Sequence, residues 1–355
     1  MNHPTAPHVV TLGTAGGPRW WTGENAGRRA GISTAVVVGD VVYLVDAGTG
    51  VGNQLMRAGY SVGDVRAVFL THLHSDHTID LASLAVFGLF SLRPGQDPVR
   101  IIGPGDRGAL PPVSARATTA PTPLNPGSPT PGTAEMFERL MHAHATDLND
   151  RIIDALRPSP SDLFAASDIG IPDGSGYHPN ENPTPASMEP FEIYRDEWVT
   201  VTATLVEHPP IAPAFAFRFD TAGGSVTISG DTAPCENLVR LAAGTDLLLH
   251  EAIDFDWVER SYGGVESEEA KASMDHHRRS HTSPEQAIRI AESAGASALA
   301  LHHLVPGTTP AGVWRSHAPS FSGTFLVPDD LDIIPFGGTG DDAEAGDPTE
   351  MAATR

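Results

Sequence analysis

Between Thr71 and Thr78 the chain reads Thr-His-Leu-His-Ser-Asp-His-Thr, which places His72, His74, Asp76 and His77 within six residues. Imidazole nitrogen and carboxylate oxygen are the donors that zinc takes at roughly 2.0–2.2 Å. Four such side chains on one short turn can converge on a point. Left without an ion, they would be a costly set of desolvated polar groups beside a core strand. More residues of the same types follow at the ends of apolar runs. His208 comes just after the run Trp198–Val206, Asp231 after Val226–Ser229, and the pair His302-His303 after Ala298–Leu301. Together these are five histidines and two carboxylates, with either residue of the last pair able to serve. That set suits two metal ions sharing a bridging aspartate and a bridging hydroxide, the arrangement that activates water and clamps both the attacking and the leaving oxygen.

The elements that must position these side chains can be read from hydropathy and punctuation. Val65–Leu70 is an apolar run of strand length, and Ile79–Phe90 is long enough for a helix, so the histidine cluster falls on a turn at a strand's C-terminal end. His8–Leu12 alternates and predicts a first strand. Ser33–Val38 and Val41–Asp46, joined by Gly39-Asp40, predict a hairpin. A helix is expected over Val51–Ala58 and a strand over Val99–Ile102. From Pro104 to Pro190 prolines and small residues dominate, apart from a helical pattern at Glu135–Leu156, so residues 104–190 are expected to be an insertion packed as a lid. His142 and His144 sit two apart on that helix and point away from each other. Further strands are expected at Ala214–Phe219 and at Asp246–Leu249, the latter ending in His250-Glu251. Met274–His281 is expected to be a polar loop. Ser283 caps a helix that has Pro284 in its first turn and Gly295 at its end. Trp20 and Trp21, in a loop after the first strand, are candidates for a substrate-pocket wall. Strand ends in a layered α/β protein gather on one rim, where ligands bind.

The chain has 355 residues, 40% of them hydrophobic, and carries a formal net charge of −22 with Lys271 as its only lysine. So acidic a composition argues against a nucleic-acid partner unless a basic patch overrides it. Cys235 is the only cysteine, which rules out an internal disulfide framework and fits a cytoplasmic location. No charged stretch followed by an apolar one opens the sequence, and no run of 18 apolar residues occurs, so neither a signal peptide nor a membrane span is expected. One domain over residues 1–337 is expected, followed by a disordered acidic tail over 338–355.

With these motifs in place, the chain resembles the metallo-β-lactamase superfamily, and within it the ribonuclease Z-like and arylsulfatase-like branch. The resemblance covers residues 8–103 and 191–336. It rests on His72-Leu73-His74-Ser75-Asp76-His77, on Ser229-Gly230-Asp231-Thr232-Ala233-Pro234-Cys235, on Leu249-His250-Glu251-Ala252, on His281-Thr282-Ser283 and on the histidine pair before Leu304. It implies an α/β fold, the αβ/βα four-layer sandwich with two central mixed β-sheets. It also implies a pair of Zn2+ ions, with Mn2+ or Fe2+ as alternatives. His72, His74 and His208 would hold one ion and Asp76, His77 and His303 the other, with Asp231 between them. The motif's register favours His303 over His302. By the same resemblance Asp76 also holds the nucleophilic hydroxide, His281 assists protonation of the leaving group, and Glu251 orients a ligand or His281. Relatives of this kind commonly form homodimers.

The departures bear on substrate. Ala233 stands where ribonuclease Z usually has an arginine suited to phosphate, and His302-His303-Leu304-Val305-Pro306 replaces a Thr-His-x-Ser pattern. Residues 104–190 show no basic, glycine-rich arm for grasping tRNA. The expectation is therefore a dizinc hydrolase acting on a small-molecule ester, lactone, sulfate or phosphodiester. The alternatives are a tRNA 3′-end processing endoribonuclease, a diiron redox enzyme lacking its flavin partner, and a non-catalytic metal-binding protein on the same fold.

Overall fold

The computed structural model describes residues 6–93 and 95–338. The expected tail, apart from Gly338, lies outside the described residues. Strands β1 (His8–Gly13), β2 (Ser33–Val38), β3 (Val41–Val45), β4 (Val65–Phe69), β5 (Val99–Pro104) and β6 (Phe164–Ile169) belong to the first sheet. The second sheet holds β7 (Phe191–Arg195), β8 (Val199–Leu205), β9 (Phe215–Thr221), β10 (Gly224–Ile228), β11 (Leu247–Ile253), β12 (Ala298–Val305) and β13 (Thr324–Leu326). A last strand, β14 (Ile333–Pro335), returns to pair with β1. Each sheet has seven strands, in the orders β14-β1-β2-β3-β4-β5-β6 and β13-β12-β11-β10-β9-β8-β7. Both are mixed: β3 to β6 run parallel, as do β10 to β13, and the remaining pairs are antiparallel.

Alternation along the strands builds the layers. Val36 and Val38 of β2 face the second sheet, where they join Phe69, Phe217 and Phe219 in the central core. Ala35 and Val37 face outward, against the helix layer. That outer layer contains α1 (Val51–Arg57), α2 (Ser75–Thr78), α3 (Leu81–Gly88), α4 (Thr133–Ala143), α5 (Ala145–Ile153) and α6 (Pro160–Leu163). On the second sheet lie α7 (Glu236–Leu241), α8 (Phe255–Tyr262), α9 (Glu268–Ser280), α10 (Pro284–Ala294) and α11 (Ala311–Arg315). Ala287, Ile288 and Ala291 of α10 pack with Leu238 of α7 on Leu248 and Leu299 beneath. This is an α/β fold with two central mixed sheets between helix layers, as the resemblance implied. Among the described residues no helix is long and apolar enough to cross a membrane.

Three stretches differ from expectation. The helical pattern at 135–156 is two helices, broken at His144, which leaves the α-helical region between α4 and α5. Downstream, β6 adds to β5 in parallel, so residues 104–190 contribute a strand to the first sheet as well as helices. Met274–His281, expected to be a loop, is instead the C-terminal half of α9 up to Ser280, followed by His281 in an extended conformation. Of that helix only Ala270 and Ser280 are buried, so no apolar stripe marks it. It is held instead by the Ser267 N-cap, by Glu268 and Glu269 in its first turn, and by Arg278 and Arg279 in its last, which complement the helix dipole.

Candidate metal centre

The parallel strands bring their C-terminal ends to one edge of the sandwich. β3 leads into Asp46, β4 into the histidine turn, and β10 through Gly230 to Asp231. Gly230 has φ +59°, and a Cβ there would lie 2.7 Å from Phe215 O and 3.0 Å from Thr71 Cβ. Glycine is thus what lets the chain bend beneath the histidine turn. β12 does not stop before its histidines but continues through a bulge: His302 pairs with Glu251, Leu304 with Ala252, and His303 between them is unpaired with φ +45°. The bulge re-aims His303 into the site. His302 stays buried on the strand outside the cluster, its Nδ1 without a hydrogen-bond partner.

Two donor sets result, His72-His74-His208 and Asp76-His77-Asp231-His303. In the first, His74 Nδ1 lies 3.0 Å from His72 Nε2 and 3.2 Å from His208 Nε2. In the second, His303 Nε2 lies 3.2 Å from His77 Nε2, 3.3 Å from Asp76 Oδ2 and 3.2 Å from Asp231 Oδ1. The edge of a zinc tetrahedron is about 3.3 Å for a 2.0–2.1 Å bond. Asp231 spans the two sets. Its Oδ1 faces His77 and His303 at 3.4 and 3.2 Å, and its Oδ2 lies 3.8 Å from His208 Nε2. Asp231 Oδ1 is buried with no hydrogen-bond partner. Imidazole nitrogens facing one another and an orphaned buried carboxylate oxygen are what divalent cations would satisfy, so the residues present fit a dinuclear metal site.

The outer nitrogens are held from behind. His77 Nδ1 donates to Asp46 Oδ2 at 2.8 Å, and His208 Nδ1 donates to Ser280 O at 2.8 Å. Thr71 N donates to the other Asp46 oxygen at 2.8 Å. Gly17 N donates to Asp76 Oδ2 at 3.0 Å. Gly16 packs against the His303 ring so closely that a Cβ would come within 2.4 Å of it. Burial keeps His72 and His208 neutral, well below the usual imidazole range, as a metal ligand requires. Burial alone would raise Asp231, but the imidazoles of His303 and His77 hold it well below the usual carboxylate range.

His281 and Glu251 form a buried pair beside this centre. His281 Nδ1 donates to the Glu251 oxygens at 3.0 and 3.1 Å and lies 4.0 Å from Asp231 Oδ2. Glu251 also accepts from Thr232 N at 2.7 Å. Burial depresses the imidazole, yet Glu251, and behind it Asp231 and Asp76, push His281 up to about 9. Trp20 and Trp21 line a cavity of about 520 Å³ that reaches Asp76, together with Arg19, Arg29 and Ile79. Trp20 is 91% exposed, whereas Trp21 packs edge-on against Trp257 with centroids 5.5 Å apart.

Asp46 does not stand out in the sequence, because one aspartate following a hairpin strand is unremarkable by itself. Its signal is position: a carboxylate at the end of the strand beside the one that leads into the histidine turn. Asp46→Asn is expected to weaken metal binding about 10–100-fold by freeing the His77 ring. Competition against a chromophoric chelator measures this, and unchanged affinity would remove Asp46 from the centre.

A dinuclear donor set on this sandwich defines a metallo-hydrolase. Residues 27–110 match the metallo-beta-lactamase superfamily, and residues 154–304 match the beta-lactamase superfamily domain. The chain is 31% identical over 312 residues to the ribonuclease Z of Mycobacterium sp. (strain KMS), covering 86% of this chain and 89% of that one. Among solved structures it resembles human tRNase Z, short form, with TM-score 0.59 and 18% identity over 93% of this chain and 100% of that one. It also resembles the metallo-beta-lactamase fold protein YhfI from Bacillus subtilis, with TM-score 0.58 and 20% identity over 92% and 98%. The chain belongs to the metallo-β-lactamase superfamily, in its ribonuclease Z-like branch.

This similarity overturns the exclusion of nucleic acid drawn from composition. Relatives named as ribonucleases match over nearly nine-tenths of their own length. The physical reason is that net charge averages the whole surface, whereas a strand of RNA meets only the rim of the site. Beside the cavity that reaches Asp76, the exposed Arg19 is such a local positive charge.

Proposed function

We propose that the chain is an endoribonuclease of the ribonuclease Z type, hydrolysing a phosphodiester near the 3′ end of a precursor RNA in the cytoplasm. The observation that carries the proposal is the match to ribonuclease Z across almost the whole chain, joined to two donor sets spanned by one aspartate. His72, His74 and His208 would hold one ion, Asp76, His77 and His303 the other, and Asp231 would be shared. Zn2+ is the ion this nitrogen-rich set favours, with Mn2+ and Fe2+ as weaker competitors. Bound there, a pair of such ions supplies an acidified water as nucleophile and positive charge for an in-line displacement at phosphorus.

The chain's own residues do the rest. Asp76, its Oδ2 fixed by Gly17 N, faces the second donor set and the cavity, so it is placed to orient the attacking water. His281 holds a proton, with Glu251 fixing which nitrogen carries it and Thr232 N fixing Glu251. It delivers that proton to the leaving oxygen as the P–O bond breaks. Trp21 and Arg19 offer a flat apolar and cationic surface against which a terminal base can stack.

The test is cleavage of a precursor tRNA carrying a 3′ trailer by zinc-loaded protein, run beside chromogenic phosphodiester, ester, sulfate and lactone substrates. Endonucleolytic cutting of the precursor supports the proposal. Turnover of a small substrate alone, with the RNA intact, overturns it in favour of a small-molecule hydrolase. His281→Gln is expected to lower kcat about 10²-fold with the two ions of the dinuclear centre retained. Loss of either of those two ions from that variant would show His281 to be a ligand of the dinuclear centre instead.

A further inference from the structure

A second group of histidines stands beside the centre, and two of its three members, His276 and His277, have no part in it. α9 ends with His276 and His277, and His281 follows one residue past its last turn in an extended conformation, φ −134° and ψ 169°. Adjacent helical residues point about 100° apart, so His276 and His277 alone flank a gap. The break after Ser280 turns His281 back to close it. One donor nitrogen from each of the three lies within 4.8 Å of the other two. Their ring centroids are 5.6, 5.8 and 5.9 Å apart.

The size of that triangle decides what it can hold. Three imidazoles on one tetrahedral ion, each nitrogen about 2.1 Å from it, place their ring centroids about 5 Å apart. His72, His74 and His208 meet this at 4.7, 4.7 and 5.0 Å. The α9 triangle is wider by under about 1 Å, which rotation of partly exposed side chains can close. Its nitrogens are also prepared. His281 Nδ1 is committed to Glu251, which leaves Nε2 as its free donor, the carboxylate–imidazole arrangement that orients metal-binding histidines. His276 Nδ1 is 3.3 Å from Ser280 Oγ, which leaves its Nε2. His277 Nδ1 is buried and without a hydrogen-bond partner, a state that costs free energy unless a proton or an ion satisfies it.

We propose that His276, His277 and His281 form a third metal site, weaker than the dinuclear centre, that takes Zn2+ or another borderline divalent cation. It is weaker because its donors are all imidazoles, with no carboxylate among them, and because the triangle must contract to bind. Its occupation has a consequence that rests on the function proposed above. The free nitrogen of His281 would be tied to the ion and unable to protonate the leaving group, so excess zinc inhibits.

The experiment is a zinc titration of the full chain by equilibrium dialysis with elemental analysis, followed in parallel by cobalt absorption and by rate. Wild-type protein is expected to take two tightly bound ions and then a weaker third, with new cobalt bands at the third equivalent. The double variant His276→Gln/His277→Gln is expected to stop at two. Both positions are partly exposed, and the two tight ions together with an unchanged far-UV circular dichroism spectrum report that the variant is folded. A wild type that saturates at two, or a double variant that still takes a third, overturns the site. The wild-type rate should fall about 10²-fold as the third ion binds. A third ion that binds without slowing the rate overturns the inhibitory role and removes His281 as proton donor. Failure to cleave RNA, by contrast, would strike only the function proposed above and leave the metal count intact.

Discussion

Asp231→Ala is expected to strip both ions from the centre and to lower the rate of phosphodiester cleavage by about 10³-fold or more. Asp231 has one oxygen directed at His77 and His303 and the other at His208, so it is the carboxylate common to both donor sets. Without it, the His72 side offers three neutral imidazoles to a doubly charged ion in a buried site. The His77 side keeps only Asp76 as a counter-charge. The loss therefore falls on both ions, unlike the loss of any single histidine. Asp231→Asn separates charge from shape, since the amide fills the same space with no negative charge, and it is expected to fall nearly as far. Elemental analysis and the rate on a chromogenic phosphodiester are read together. Two ions retained at full rate in Asp231→Ala would show that the aspartate does not bridge.

What could be read without a structure was whatever local pattern controls. The apolar runs of β2, β3 and β4 are set by burial, and the ligand cluster sits in one turn, so both were legible. His208 and Asp231 were legible as polar residues immediately after buried strands. The choice of His303 over His302 came from the register of the family motif and not from local pattern, because it is made by a bulge that exists only where β12 meets β11. α9 was not legible, because its polar sequence carries no apolar stripe and its position comes from packing on α8 and from its caps. Nor was the role of Asp46, whose meaning lies in a partner 31 residues away. Charge misled for a related reason: a net −22 describes the whole surface, while a bound strand meets only the local charge beside the cavity, where Arg19 lies.

His77→Ala should behave differently from Asp231→Ala, and the difference tests the assignment of ligands to ions. Its Nε2 belongs to the second donor set alone, 3.2 Å from His303 Nε2, so one ion should be lost and the one held by His72, His74 and His208 retained. The rate should again fall by about 10³-fold, because the in-line displacement needs both charges. A second effect comes from behind the ring. Asp46 is 2% exposed and would lose the imidazole that His77 Nδ1 presents to it, keeping only its hydrogen bonds from Thr71. Breaking a buried pair from one side costs about 3–5 kcal/mol, so Tm should drop in the single variant even with metal removed from both proteins. Adding Asp46→Ala to His77→Ala removes the stranded carboxylate and should recover part of that Tm, with no recovery of activity. If the double variant were no more stable than His77→Ala, Asp46 would not be stranded by loss of the ring. The hydrogen bond that aligns His77 would then contribute nothing to holding the site in shape before metal arrives.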